Sequence, residues 1–329
     1  MLKYFKFYYK SVIQGSTPFT IHPAAKIGYV HLRVSDIEQS LQFYHSLLGL
    51  KLVGRTTSSS ESVFLSTGTD SKSPSFLIAL SKVETTPKGK NDFLVLQDNR
   101  TSRKVAGLYH LAILLPERRF LANIFRHLQE HRDHVQFDGF ADHAVSESIY
   151  LRDPDLNGVE IYRDRPRSEW RWKGHEVHMV TEPLNIQDLL SESTSDAQWK
   201  EFPSGTSIGH VHLHVSNLVN AKRFYSEILG LNHTATYPGA YFFAADEYHH
   251  HVATNIWLGE DILPRASFSN LTGLDHFAIH LPNKREFERM SKYLDEFNLI
   301  AEEEQADLRG FFRSFYVHDS DKIRIQFYH

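Results

Sequence analysis

The sequence predicts an α+β fold built from four copies of one module, in which a β-strand leads into an α-helix and then into several further strands. Two internal repeats predict it. Ile27-Gly28-Tyr29-Val30-His31-Leu32 returns as Ile208-Gly209-His210-Val211-His212-Leu213, and Phe43-Tyr44 with Leu48-Gly49-Leu50 returns at the same offset as Phe224-Tyr225 with Leu229-Gly230-Leu231. A second pair runs from Gly107-Leu108-Tyr109-His110 to Gly273-Leu274-Asp275-His276, and one offset carries it without a gap to Tyr162 and Tyr328. Self-similarity of this kind marks repeated structural units. The copies differ where a metal would bind: Tyr29 stands where the other segments have His210, His110 and His276, and Gln326 stands where its partner has Glu160.

Each element follows from pattern. Gly28 to Val34 alternates as a strand does. Ser35-Asp36 caps a helix from Ile37 to Leu48 whose apolar residues recur at helical spacing, and Gly49 stops it. Phe43-Tyr44 and Phe224-Tyr225 fall on the core side of their helices. In the second module Leu111–Leu115 reads as a strand, Arg119–His131 as a helix, and 148–152 and 158–162 as strands around a structural Asp153-Pro154-Asp155 turn. The third module is capped by Ser216-Asn217 and stopped by Gly230. The fourth has a strand at Phe277–Leu281, a helix over Arg285–Phe297, and strands at 312–317 and 323–328. These limits predict an N-terminal arm (1–26), a first pair of modules over 27–163 (27–98 and 107–163), a connector (164–207) and a second pair over 208–329 (208–258 and 273–328). The connector is too long for a bare loop, so part of it, with a short helix over Leu184–Leu190, is expected to pack on a domain.

Composition narrows the function classes. With 329 residues, 41% hydrophobic and 23% charged, the chain can build two ordinary cores. A formal charge of −4 gives no electrostatic footprint for nucleic acid, and no apolar run is long enough to span a bilayer, so neither nucleic acid nor membrane is an expected partner. Small molecules are. The absence of cysteine excludes thiolate ligands and disulfides and agrees with a cytoplasmic location. The aromatic, lysine-bearing arm from Met1 to Thr20 lacks the apolar core of a secretory signal and is expected to lie on the domain.

A single strand histidine such as His31, His212 or His214 is more often a hydrogen-bonded core residue than a ligand. Module two offers more, because His110 on its first strand is joined by Glu160 on its last. Imidazole and carboxylate together suit divalent iron, manganese or zinc, and two histidines with one carboxylate leave coordination positions open.

The chain resembles the vicinal oxygen chelate superfamily, which includes glyoxalase I, fosfomycin and bleomycin resistance proteins, and extradiol dioxygenases. The motifs that carry the resemblance are Ile208-Gly209-His210-Val211-His212-Leu213, Gly107-Leu108-Tyr109-His110-Leu111-Ala112 and Tyr150-Leu151-Arg152-Asp153-Pro154-Asp155-Leu156-Asn157-Gly158-Val159-Glu160. The resemblance implies βαβββ modules that pair into two open barrel-like domains. Its four-module layout is similar to the two-domain bacterial catechol 2,3-dioxygenases, which implies Fe(II), with Mn(II) as the alternative, a small aromatic diol and O2 as substrates, and a homo-oligomer. It implies His110, Glu160 and His210 as metal ligands. The catalytic histidine it implies is His250 in Tyr248-His249-His250-His251, with His249 and His251 one residue away. Tyr150 stands at the family's spacing before Glu160, and His143 is either a substrate-contacting group or a surface turn residue.

In the family's common arrangement modules three and four hold the metal, but here only modules two and three together supply the ligand set. The expectation is therefore barrels of two with three and one with four, the second being degenerate with Tyr29, His276 and Gln326. A glyoxalase-like lyase or isomerase on this scaffold would need a fourth ligand, and alignment puts Asn255 there. A non-catalytic aromatic-ligand or drug-binding protein would need no intact triad.

Overall fold

The computed structural model describes residues 18–56, 61–68, 76–83, 104–193, 198–260, 262–265, 271–304 and 313–329. The predicted arm over Met1–Thr20 falls mostly outside these residues, as does the end of module one. Module one runs β1 (Lys26–Val34), α1 (Ile37–Leu41), β2 (Lys51–Thr56), β3 (Ser62–Ser66) and β4 (Ile78–Lys82). Module two runs β5 (Gly107–Leu115), α2 (Arg118–Glu130), β6 (Gln136–Asp142), β7 (Ser146–Arg152) and β8 (Gly158–Asp164). The connector holds β9 (Trp172–Lys173), β10 (Glu176–Val177), β11 (Glu182–Pro183) and α3 (Ile186–Ser191). Module three is β12 (Ser207–His214), α4 (Leu218–Lys222), β13 (Asn232–Tyr237), β14 (Ala240–Ala244) and β15 (Val252–Asn255). Module four is β16 (Gly273–His280), α5 (Lys284–Glu296), β17 (Ile300–Glu304), β18 (Ser314–His318) and β19 (Arg324–Tyr328). The α+β architecture of repeated βαβββ modules is present as expected.

The helices after β1 and β12 are not continuous. Asp36 and Asn217 cap them through their side chains, but after five residues each helix widens into a π turn, over Gln42–Leu47 and Arg223–Ile228. The wider turn is closed by Leu48 N–H donating to Phe43 O and Leu229 N–H to Phe224 O, both at 2.9 Å. Gly49 (φ +91°) and Gly230 (φ +76°) end these turns. A Cβ at Gly49 would meet the Glu201 backbone at 2.8 Å, and one at Gly230 would meet Phe19 O at 2.5 Å, so close approach as well as backbone angle requires glycine.

Two curled sheets carry the modules. One has the order β11-β6-β7-β8-β5-β12-β15-β14-β13 and the other β17-β18-β19-β16-β1-β4-β3-β2. Module two is thus joined to module three through β5 and β12, and module four to module one through β16 and β1, across the chain-order grouping of 27–163 and 208–329. Both junctions are antiparallel with matching registers: His210 faces Ala112 and His212 faces His110, as Tyr29 faces Ala278 and His31 faces His276. Both also carry two irregularities, such as those at Ile208/His210 and Ile27/Tyr29. Bulges of this kind re-aim side chains.

The Asp-x-Asp turns tie the sheets together. Tyr44 of module one donates its hydroxyl to Asp153 Oδ2 at 2.8 Å, and Tyr225 of module three donates to Asp319 Oδ2 at 3.0 Å. The backbone amides of Ser35 and Ser216 donate to Asp155 and Asp321 in the same way. Burial pushes the Asp153 carboxyl up to about 6 and the Asp319 carboxyl up to about 7, the latter helped by Asp321. The folded chain therefore holds these protons where the unfolded chain has released them, and the associated stability is present at low pH and lost as pH rises through 6 to 7. Asp319→Asn keeps the accepting oxygen and removes the titration. Between pH 5 and 8 the stability gap between wild type and this variant should shift by about 2 kcal/mol, read by urea denaturation. A gap that does not change with pH would show that Asp319 titrates normally.

Candidate metal centre

The parallel pairing of β5 with β8 sets Ala112 beside Glu160, and the antiparallel pairing of β5 with β12 sets Ala112 opposite His210. The small alanine between them lets the side chains of Glu160, His210 and His110 meet inside the curl of the sheet. His210 Nε2 lies 2.9 Å and His110 Nε2 lies 3.0 Å from the same oxygen, Glu160 Oε2. The other carboxylate oxygen, Oε1, accepts from Ser148 Oγ at 2.6 Å. All three ligand candidates are buried, and their donor atoms lie within 4.8 Å of one another. The His110 Nε2 contact lacks hydrogen-bond geometry, which leaves that buried nitrogen unpartnered.

Electrostatics suits a cation. Burial works to raise the Glu160 carboxyl, but the facing imidazoles of His210 and His110 outweigh it and hold the group well below the ordinary carboxylate range. Burial also depresses both imidazoles, against the pull of Glu160. Two neutral imidazoles and one ionised carboxylate are the protonation states a divalent metal needs. This donor set fits one.

The triad lines a cavity of about 200 Å³ together with Tyr150, His143 and His250. An apolar cavity of about 150 Å³ can hold one benzene ring, so the space suits a single-ring ligand. His143 Nδ1 donates to Val180 O at 2.7 Å, so its Nε2 accepts from the Tyr150 hydroxyl at 2.8 Å when the ring is neutral. His143 is therefore a cavity residue and not a free surface turn.

The histidine run is sorted by its contacts. His249 is fully buried behind the cavity, with Nε2 donating to Asp164 Oδ1 at 2.9 Å. Its Nδ1 then accepts from His250 Nδ1, 2.8 Å away, leaving Nε2 as the unprotonated nitrogen of His250. The His250 ring lies 4.1 Å from that of His210 and 4.9 Å from Phe242. His251 points elsewhere, its Nδ1 accepting from the Ala245 amide at 3.2 Å. Among the three, His250 is the one that lines the cavity.

One alignment needs correction. The pairing of β12 with β15 sets His212 beside Ala253, as Ala112 sits beside Glu160. The position matching Glu160 in module three is therefore Ala253. Asn255 lies two residues further along, where its amide bridges His212 Nε2 (3.0 Å) and His214 Nδ1 (2.7 Å). A methyl group cannot ligate, so module three offers no fourth donor there.

The matching position in module one is Ala79, and polar side chains that bond one another occupy the positions around it. The Tyr29 hydroxyl lies 3.0 Å from His276 Nε2 and donates to Gln326 Oε1, while Gln326 Nε2 donates to Ser314 Oγ and to the Tyr316 hydroxyl. Nearby, Asp275 is engaged by Arg33 and by His276 Nδ1. Although His31, Asp275 and His276 lie close enough together to suggest a second ion site, the two arginines at Asp275, Arg33 and Arg324, already supply its counter-charge.

Sequence reasoning missed much of the cavity wall. Met179, Val180 and Thr181 come from the connector, whose β11 pairs with β6 and lays the preceding residues over the cavity. The only sequence signal was the connector's length. Tyr109, Tyr237 and Trp257 complete an aromatic side toward the mouth.

A family model described as the Glyoxalase/Bleomycin resistance protein/Dioxygenase superfamily matches residues 26–161 and 207–327. The chain belongs to this superfamily. Within it, a protein named catechol-2,3-dioxygenase from Bacillus subtilis (strain 168) is 36% identical over 299 residues, covering 88% of this chain and 94% of the relative. A solved structure from Bacillus subtilis subsp. subtilis str. 168, described only provisionally as a dioxygenase, has a TM-score of 0.62 at 11% identity and covers 94% of this chain and 86% of its own. Glyoxalase I from Zea mays has a TM-score of 0.52 at 12% identity, covering 93% of this chain and 92% of its own. These structures show the superfamily fold. They do not distinguish its chemistries.

No helix among the described residues is long and apolar enough to cross a membrane.

Proposed function

We propose that this superfamily member is an Fe(II)-dependent extradiol dioxygenase that opens catechol or a substituted catechol with O2 to a semialdehyde. The observation that carries the reading is the convergence of His110, His210 and Glu160 on the wall of a single-ring cavity that also exposes His250. The catechol-2,3-dioxygenase relative, matched over nearly its whole length, supports it. The absence of a fourth donor at Ala253 argues against a four-ligand lyase. A purely ligand-binding protein would have no need of the buried carboxylate between two imidazoles.

Iron(II) held by His110, His210 and Glu160 would keep positions open for both catechol oxygens and for O2, and would ease loss of a phenolic proton. His250 Nε2 is the base that accepts this proton and the acid that returns it. His249 and Asp164 fix its tautomer by holding the proton on Nδ1. Tyr150 and His143 form a hydrogen-bonded pair that positions a substrate oxygen on the opposite side. Val145, Met179 and Phe242, which line the same cavity, limit water around the reacting ring.

Anaerobic loading with iron(II), followed by catechol and air, should give the yellow absorbance of a ring-opened semialdehyde. Iron bound near one equivalent with no product from any of several catechols would refute the assignment. Loading with manganese(II) in parallel decides which metal supports turnover.

A further inference from the structure

The cavity's charge pattern carries an inference about which catechol it takes. Its lining contains two carboxylates, Glu160 and Asp138, and among the described residues no lysine or arginine lines it. Arg152, on the strand beside Asp138, already gives one guanidinium nitrogen to Asp138 Oδ2 and another to Leu156 O. An anionic substituent would therefore lose its hydration and find no free cation among these residues.

The apolar character lies in one direction from the metal ligands. The His212 ring is 5.0 Å from that of His110 and 5.2 Å from that of Trp257, so ring contacts run in steps from the triad to the mouth. Tyr109 packs on Trp257 at 5.4 Å. Trp257 is 47% exposed and Tyr237 is 37% exposed, although both line the same cavity. Half-exposed aromatic side chains at the mouth of a pocket are a surface suited to a flat, apolar group.

Building on the dioxygenase reading, we infer that the preferred substrate is an uncharged catechol bearing an apolar or aromatic substituent. The diol ring sits at the triad, and the substituent passes His212 to rest on Tyr109, Tyr237 and Trp257. With Arg152 committed to Asp138 and no lysine or arginine lining the cavity among the described residues, carboxylated catechols are disfavoured.

Two measurements test this on the full chain. Isothermal titration of anaerobic, metal-loaded protein with catechol, 4-methylcatechol, biphenyl-2,3-diol and protocatechuate gives binding, and kcat/KM in air gives turnover. Biphenyl-2,3-diol should bind about tenfold tighter than catechol, and protocatechuate about a hundredfold weaker than 4-methylcatechol. In Trp257→Ala the ratio of biphenyl-2,3-diol to catechol affinity should fall about tenfold. Binding in the expected order without ring opening would remove the dioxygenase reading and leave this inference standing. Ring opening with protocatechuate equal or preferred would do the reverse. If no catechol binds at all, the inference fails.

Discussion

Glu160→Ala should leave the purified protein with almost no bound metal and reduce ring-opening activity by more than the roughly 10- to 100-fold that loss of an outer-shell partner costs a metal site. Glu160 is the only carboxylate among the three proposed ligands, and both imidazoles approach its Oε2. Without it, two neutral nitrogens remain, and their hold on a divalent ion is much weaker. Removing a buried charge can unfold a protein when the partner charge is left behind. Here burial keeps both partners neutral, so Glu160→Ala should retain its fold, as circular dichroism can verify. Gln326→Ala, at the matching position of the other barrel, should keep its metal. Metal analysis of the two variants decides between the barrels: metal retained in Glu160→Ala and lost in Gln326→Ala would place the centre between modules one and four.

His250→Ala should keep its metal but lose about 10²- to 10⁴-fold in kcat, the usual contribution of a positioned general acid and base. The ligand set is untouched, so metal content separates this variant from Glu160→Ala. His251→Ala should stay within a few-fold of wild type, because that ring bonds the Ala245 amide and packs on Tyr248 without lining the cavity. His249→Gln should fall between the two, since it breaks the link from Asp164 to His250 without removing the base. Wild-type turnover in His250→Ala would assign the proton transfer to another group.

Much of the site was readable from the chain because repeats carry their own alignment. His110 and Glu160 share a module, and a strand-to-strand offset is a local property of alternating sequence. The replacement of histidine by Tyr29 and of glutamate by Gln326 was equally visible. It points to modules two and three as the source of the candidate ligands, and in the structure β5 of module two is hydrogen-bonded to β12 of module three. The helix caps at Asp36 and Asn217 were legible for the same reason: a cap is satisfied within four residues.

Other features depended on contacts that no local pattern encodes. The fourth-ligand position was misplaced at Asn255 because counting along the chain does not reveal which residue of β15 lies beside His212. Pairing sets that at Ala253. The apolar spacing over Gln42–Leu47 and Arg223–Ile228 is that of a plain helix, and the widening into π turns matters only once Tyr44 and Tyr225 reach their aspartates. The role of each residue in His249-His250-His251 was undecidable from three identical side chains. Asp164, Phe242 and Ala245 distinguish them, and these partners are brought together only by the fold.

By itself, then, the sequence determined the modules, the candidate ligand types and which copies carry them, because each is written in residue identity and short-range period. Tertiary structure alone decided the register across strands, the histidine that faces the cavity and the connector that walls it. Those depend on hydrogen bonds and packing between segments far apart in the chain, where a shift of one residue turns a side chain to the other face of its sheet.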